Sequence, residues 1–212
     1  MIFNKELKKT SSQLHKRGDV TGGTNMINSV FKIQNPILKE IFDWAEVIVM
    51  ALLITFILKA YVVEFTQVSG PSMQPTLQDG NRLIINRFIY NLTEPKHGDI
   101  VVFDFSEEKS FIKRIIGLPG DVIDIRDGDV YINDIKQEEG YIQEKVQIYG
   151  DVNFPVTVTK DHYFVMGDNR NNSSDSRLKM VGDNGLVSKK VIRGPVVLRI
   201  WPFNEFGTIK YK

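Results

Sequence analysis

The chain contains no cysteine among its 212 residues. A disulfide framework, thiolate zinc sites and a cysteine nucleophile are thereby excluded, although the absence assigns no compartment. A large charge of either sign is lacking too. The formal net charge is +1, and residues 64–212, with 19 basic and 21 acidic side chains, net −2. Nucleic-acid binders normally carry a basic patch or stripe, so a near-neutral main domain argues against that class. There is no internal repeat, no long amphipathic helix beyond Glu64 and no second long apolar run.

One such run is present. Ala45 to Val63 reads AEVIVMALLITFILKAYVV, with no charge from Val47 to Leu58. A helix needs about 20 mostly apolar residues to cross a bilayer. Residues 44–63 are therefore expected to form one transmembrane signal-anchor helix, with Glu46 and Lys59 near its ends and Trp44 and Tyr61 in the interfacial belts. The competing assignment is a buried core helix, which requires a large core to cover all its sides. A cleaved signal peptide fits poorly, because more than forty residues precede the apolar segment and no small-x-small pattern follows it. Residues 1–43 carry seven basic and four acidic side chains, a net +3. That excess predicts a cytoplasmic N-terminus and a main domain on the outer face of the cell membrane. Residues 1–35 read as a flexible polar tail, and Pro36 as a helix start. The expected organisation is a tail over 1–43, an anchor over 44–63 and an extracytoplasmic domain over 64–212.

The main domain reads as mostly β. Arg82–Asn86, Asp99–Phe105, Phe111–Ile116 and Asp121–Arg126 are short, rich in Ile, Val and Phe, and partly alternating. Asp127-Gly128 is a hairpin signal, and Asn133-Asp134 a second turn. Further strands are expected at Pro155–Thr159, His162–Met166, Val196–Trp201 and Thr208–Tyr211, with a strand or short helix in Leu186–Ile192. Gln137–Phe154 reads as an excursion, and a small cap is expected within about 127–160.

Four clusters stand out. In Ser69-Gly70-Pro71-Ser72-Met73-Gln74-Pro75-Thr76-Leu77, Ser72 lies between two constrained turns that can present a hydroxyl and nearby N–H groups. Gly98-Asp99-Ile100-Val101-Val102-Phe103 reads as a turn entering a buried strand. In Lys113-Arg114-Ile115-Ile116-Gly117-Leu118-Pro119-Gly120-Asp121, Lys113 sits inside an apolar strand pattern with Phe111, Ile112, Ile115 and Ile116. Burial there would lower its pKa toward the range of a general base; an exposed strand lysine is the plainer reading. Gly167-Asp168-Asn169-Arg170-Asn171-Asn172-Ser173-Ser174-Asp175-Ser176-Arg177 is a polar loop that lacks EF-hand spacing.

In this order, after a single apolar span, the four clusters resemble those of the type I signal peptidases in their bacterial serine-lysine form. The resemblance covers roughly residues 40–203. It implies an antiparallel β-sheet catalytic domain behind one membrane helix, with Ser72 as nucleophile and Lys113 as general base. It implies a supporting role for Ser173 as a hydrogen-bond partner of the lysine amine, and for Asp175, Arg177 and Arg114 as a structural charge cluster. Gly70 stands where some members place an oxyanion-hole serine, so the Ser72 N–H and a Gly70 contribution would form the hole. Val68, Met73, Leu77 and Ile112 are the implied substrate pockets, for small side chains of an extended substrate. Phe65, Trp201, Pro202 and Phe203 would face the bilayer. No metal or cofactor is implied. The implied partners are exported preproteins bearing signal peptides, the lipid bilayer and the export machinery. The form of the family that uses a histidine base is not matched, because His97 and His162 fall outside the motif. Two other readings remain: a self-cleaving serine-lysine peptidase, and a membrane-anchored β-domain that binds peptides without cutting them. A penicillin-binding enzyme would need Ser-x-x-Lys, and Ser72 is followed by Met73, Gln74 and Pro75.

Overall fold

The computed structural model describes residues 36–209, apart from the side chains of residues 57–61. The tail expected over 1–35 lies outside the described residues. The chain divides into two compact units, Met1–Ile54 and Thr55–Lys212.

Helix α1 spans Pro36–Tyr61. It begins at the proline, whose missing N–H costs nothing at a first helical position. It thus takes in residues 36–43, which the sequence-based division assigned to the tail. All its described side chains are exposed. No helix among the described residues is long and apolar enough to cross a membrane. The reason is the charge of the described part, which holds Lys39, Glu40, Asp43 and Glu46. The end of the expected span falls on side chains that are not described. The described residues therefore do not supply the membrane helix expected over 44–63, and Val63 already belongs to a strand.

The remainder is mostly antiparallel β. The strands are β1 (Val63–Gln67), β2 (Arg82–Asn86), β3 (Ile100–Asp104), β4 (Ser110–Gly117), β5 (Val122–Arg126), β6 (Asp129–Ile132), β7 (Ile135–Lys136), β8 (Val156–Thr157), β9 (His162–Met166), β10 (Val187–Ser188) and β11 (Ile192–Trp201). A seven-stranded sheet runs β1-β2-β11-β3-β4-β9-β10, and a four-stranded sheet runs β7-β6-β5-β8. The small sheet falls in the region expected to hold a cap, and also includes β5. Residues Thr208–Ile209 form no strand, and the rest of the strand expected there is outside the described residues. β1 had no counterpart among the expected strands, because its mixed sequence VEFTQ alternates half-buried with exposed positions but has no fully buried apolar face.

Side-chain alternation explains the layers. In β3 the two faces serve different cores. Ile100 and Val102 join Val68, Met73, Leu77, Leu83, Ile85 and Val196, while Val101 and Phe103 join Ile115, Tyr163, Val165 and Val187. A strand covered on both faces reads as an unbroken apolar run, as Ile100–Phe103 does. A third cluster lies between the sheets, where Ile123, Ile125 and Val130 meet Ile116, Phe164 and Met166. The β5–β6 hairpin turns at Asp127 and Gly128, with φ of 51° and 80°. Two successive positive φ values define the turn whose twist matches the flanking strands.

Two unpaired edges position the site. β1 pairs only with β2. β4 pairs with β3 from Ser110 onward, but its other side meets β9 only from Arg114. Residues from both edges line one cleft of about 620 Å³. The large sheet therefore curls to bring its first and fifth strands to the same opening.

Candidate active site

The turn after β1 is held from several sides. Val68 donates its N–H to Asn81 O at 2.8 Å, Gln74 N–H bonds Pro71 O at 3.0 Å and Leu77 N–H bonds Met73 O at 2.9 Å. Buried Met73 and Leu77 plug the turn into the core. From the polar loop, Asn169 donates its N–H to the Ser72 carbonyl at 3.0 Å and its side-chain amide to Pro71 O at 3.2 Å. Ser72 thus lies on backbone whose carbonyl and neighbours are already engaged. Its own N–H has no intramolecular acceptor among the described residues.

Lys113 reaches this turn from β4. Its Nζ lies 2.8 Å from Ser72 Oγ and 3.0 Å from Ile112 O. It also sits 5.0 Å from the centre of the Phe111 ring, two residues back along the strand. The lysine is 3 % exposed. Loss of hydration disfavours its cation and brings its pKa down from 10.5 to about 8, aided by the charges of Lys109 and Arg177 and opposed by Asp175 and Asp168. A neutral amine at hydrogen-bond distance from a hydroxyl can take its proton, so the arrangement can perform acyl transfer through a serine ester.

Two buried ion pairs flank the dyad. Arg114 grips Asp168 through Nε at 2.8 Å and Nη2 at 2.6 Å. Asp168 also accepts from Thr76 Oγ1 at 2.5 Å, which ties it to the Ser72 turn. Arg177 grips Asp175 through Nε and Nη2, both at 2.8 Å, and Asp175 accepts the Gly167 N–H at 3.0 Å. Arg114, Asp175 and Arg177 are thus buried in two separate ion pairs, Arg114 with Asp168 and Arg177 with Asp175, rather than in one cluster. Asp168, Thr76 and Asn169 were missed as site residues. All lie within or next to the quoted clusters, but nothing in their spacing discloses which partner each finds.

Three expectations change. The Gly70 N–H donates to Asp79 Oδ1 at 2.8 Å, so Gly70 has no N–H left for an oxyanion. Ser173 Oγ is buried and makes no hydrogen bond, so the expected bond to Lys113 is not formed. Leu77 is fully buried in the core and does not line the cleft, because its turn points it away between β-strands. Val68, Met73 and Ile112 do line the cleft, as do Ser72, Lys113, Gly70 and Ser173. His97 and His162 do not; they pair with Asp121 at 2.7 Å and Asp183 at 3.0 Å. Among the described residues no cluster of His, Asp or Glu is arranged to hold a metal ion.

Comparison with known proteins agrees with this class of chemistry. A family model described as "Signal peptidase, peptidase S26" matches residues 41–201. Signal peptidase I P of Bacillus subtilis subsp. natto is 39% identical over 179 residues, which cover 81% of this chain and 95% of that protein. Signal peptidase IB of Staphylococcus aureus is 35% identical over 183 residues, covering 79% and 93%. A crystal structure of a signal peptidase I from Enterococcus faecalis aligns at 31% identity and a TM-score of 0.40, covering 49% of this chain and 97% of that one. The chain belongs to the signal peptidase family and is a serine endopeptidase.

Gly167 offers a test of how tightly the dyad is held. A Cβ there would collide with Ser173 Oγ and come 2.5 Å from the Ser72 carbonyl oxygen. Gly167→Ala is expected to fold yet push the Ser72 turn away from Lys113. Displacement of about 1 Å can cost on the order of 100-fold in turnover. Steady-state peptidase assays on the folded variant check this; near-wild-type turnover would show that the turn yields freely.

Proposed function

We propose that the protein removes N-terminal signal peptides from exported preproteins at the outer face of the cell membrane, through an acyl-enzyme on Ser72 with Lys113 as general base. The observation that carries this reading is the 2.8 Å contact between Lys113 Nζ and Ser72 Oγ. Neutral Lys113 takes the hydroxyl proton as Oγ attacks the scissile carbonyl. The Ser72 N–H donates to the oxyanion that forms. Collapse breaks the C–N bond, and the Lys113 ammonium protonates the departing amine. Lys113, neutral again, then activates a water that hydrolyses the ester and frees Ser72.

The substrate lies extended along the free edges of β1 and early β4, where backbone groups are open to strand addition. Val68, Met73 and Ile112 wall the pockets, which take small side chains at the residue before the cut and two residues further back. Residues 44–63 anchor the enzyme. Support comes from the uncharged stretch Val47–Leu58 and from the exposure of the described apolar side chains of α1, including Val47, Leu52 and Phe56. An exposed apolar helix in water is unfavourable, and lipid removes that cost. The anchor brings the cleft to the surface where preproteins emerge from the export machinery.

Three outcomes are expected. Purified wild type cuts a precursor bearing an alanine-rich junction at one site, while folded Ser72→Ala and Lys113→Ala lose about 1,000-fold or more in turnover. Full activity in Lys113→Ala would remove Lys113 from its role, and a wild type that cuts no precursor would leave the peptide-binding reading in its place. Because only the neutral amine accepts a proton, kcat/KM should rise with pH and level off above about 8. A profile already flat from about pH 6 upward counts against a lysine base. Finally, the full chain should stay with carbonate-washed membranes while residues 64–212 alone are released; release of both would refute the anchor.

A further inference from the structure

The segment between β7 and β8 contains no strand, yet two of its side chains reach the structure behind the dyad. The Glu139 carboxylate accepts from both terminal nitrogens of Arg170, at 2.5 Å and 2.6 Å. The Tyr141 hydroxyl donates to the same carboxylate at 2.7 Å. The Tyr141 ring lies against both arginines, its centre 3.9 Å from Arg114 Cζ and 5.8 Å from Arg170 Cζ. The Arg170 and Glu139 side chains are 0% and 6% exposed. A bidentate pair so far from water is held by geometry as well as charge.

Each arginine leads to the dyad. Arg114 follows Lys113 in β4 and binds Asp168, which accepts from Thr76 in the Ser72 turn. Arg170 Nε donates to Gly167 O at 3.1 Å, and Gly167 packs against the Ser72 carbonyl and Ser173. Neither Glu139 nor Tyr141 lines the cleft.

We propose that Glu139 and Tyr141 are positioning residues for the peptidase reaction, a clasp that keeps Arg170 off Asp168 and so fixes Lys113 and Ser72 relative to each other. This rests on the reading of Ser72 and Lys113 as the reacting pair. With Glu139 neutralised, the buried Arg170 cation turns to the other carboxylate charge acting on it, that of Asp168. Asp168 then gives up part of its grip on Arg114 and Thr76, and both halves of the dyad loosen together. Substrate contacts lie in the cleft, which neither Glu139 nor Tyr141 lines, and are unchanged. Asp168 also favours the Lys113 cation, so drawing its charge away makes the amine less basic.

The test compares the full-length wild type with Ser72→Ala, Glu139→Gln, Tyr141→Phe and Tyr141→Leu on one precursor, normalised to the fraction that unfolds cooperatively on heating. Glu139→Gln should lower kcat about 10- to 100-fold, leave KM within about twofold and move the rise of the pH profile to lower pH. Tyr141→Phe, which keeps a ring between the arginines, should lose less than Tyr141→Leu. A folded Glu139→Gln with wild-type kcat and pH profile overturns the clasp, and so does a loss confined to KM. If Glu139→Gln does not fold, equal kcat in the two Tyr141 variants overturns it. Cleavage by Ser72→Ala would instead refute the dyad itself, separately from the clasp.

Discussion

Lys113 occupies a strand position almost out of reach of water, with its amine on the Ser72 hydroxyl. A cation there has lost most of its hydration, and the protein replaces only part of it. Below about pH 8 the folded enzyme therefore carries the cost of a poorly solvated ammonium. The unfolded chain keeps this proton up to about 10.5, so folding releases it between the two values and stability gains as pH rises through that window. The group that weakens the fold near neutrality is the one whose readiness to be neutral gives it chemical value. Poor solvation of this kind persists only where the surrounding packing over-determines the position.

Those surroundings are ordered outward from the dyad. Asn169 and Thr76 hold the Ser72 turn, Asp168 and Asp175 each accept a bidentate arginine, and Glu139 and Tyr141 close the shell around Arg114 and Arg170. Buried ion pairs contribute little net stability, since desolvation offsets most of their attraction, but removing one partner leaves the other exposed to the full penalty. Here their value is geometric. A bidentate pair fixes orientation as well as distance, and three such arginine-carboxylate pairs, Arg114–Asp168, Arg177–Asp175 and Arg170–Glu139, surround the two short segments that carry Ser72 and Lys113.

Much of the fold could be read from alternation. Arg82–Asn86 and His162–Met166 fall where expected, and the Asp127-Gly128 turn joins its two strands as the dipeptide implies. β1 was not legible, because VEFTQ is stabilised by its pairing with β2 rather than by an apolar face of its own. At the site, Ser72 and Lys113 stood out through their motifs, and the supporting charges through the density of Asp and Arg in the polar loop. Leu77 was placed in a pocket on motif position alone, whereas packing draws it into the core. Gly70 was expected to contribute to the oxyanion hole, but Asp79, nine residues on, takes its N–H.

What the sequence determined by itself was local: most of the strands, where the hairpin turns, and which residue types are able to carry acyl transfer. These follow from periodicity and from the chemistry of single side chains, which act over a few residues. Only the tertiary structure decided the basicity of Lys113, the pairing of Arg114 with Asp168 rather than Asp175, and the reach of Glu139 and Tyr141 to the back of the dyad. Each depends on which groups separated by dozens of residues come within a few ångströms, and on how much water is left between them. Hydration and long-range contact are properties of the packed chain, and no local pattern encodes them.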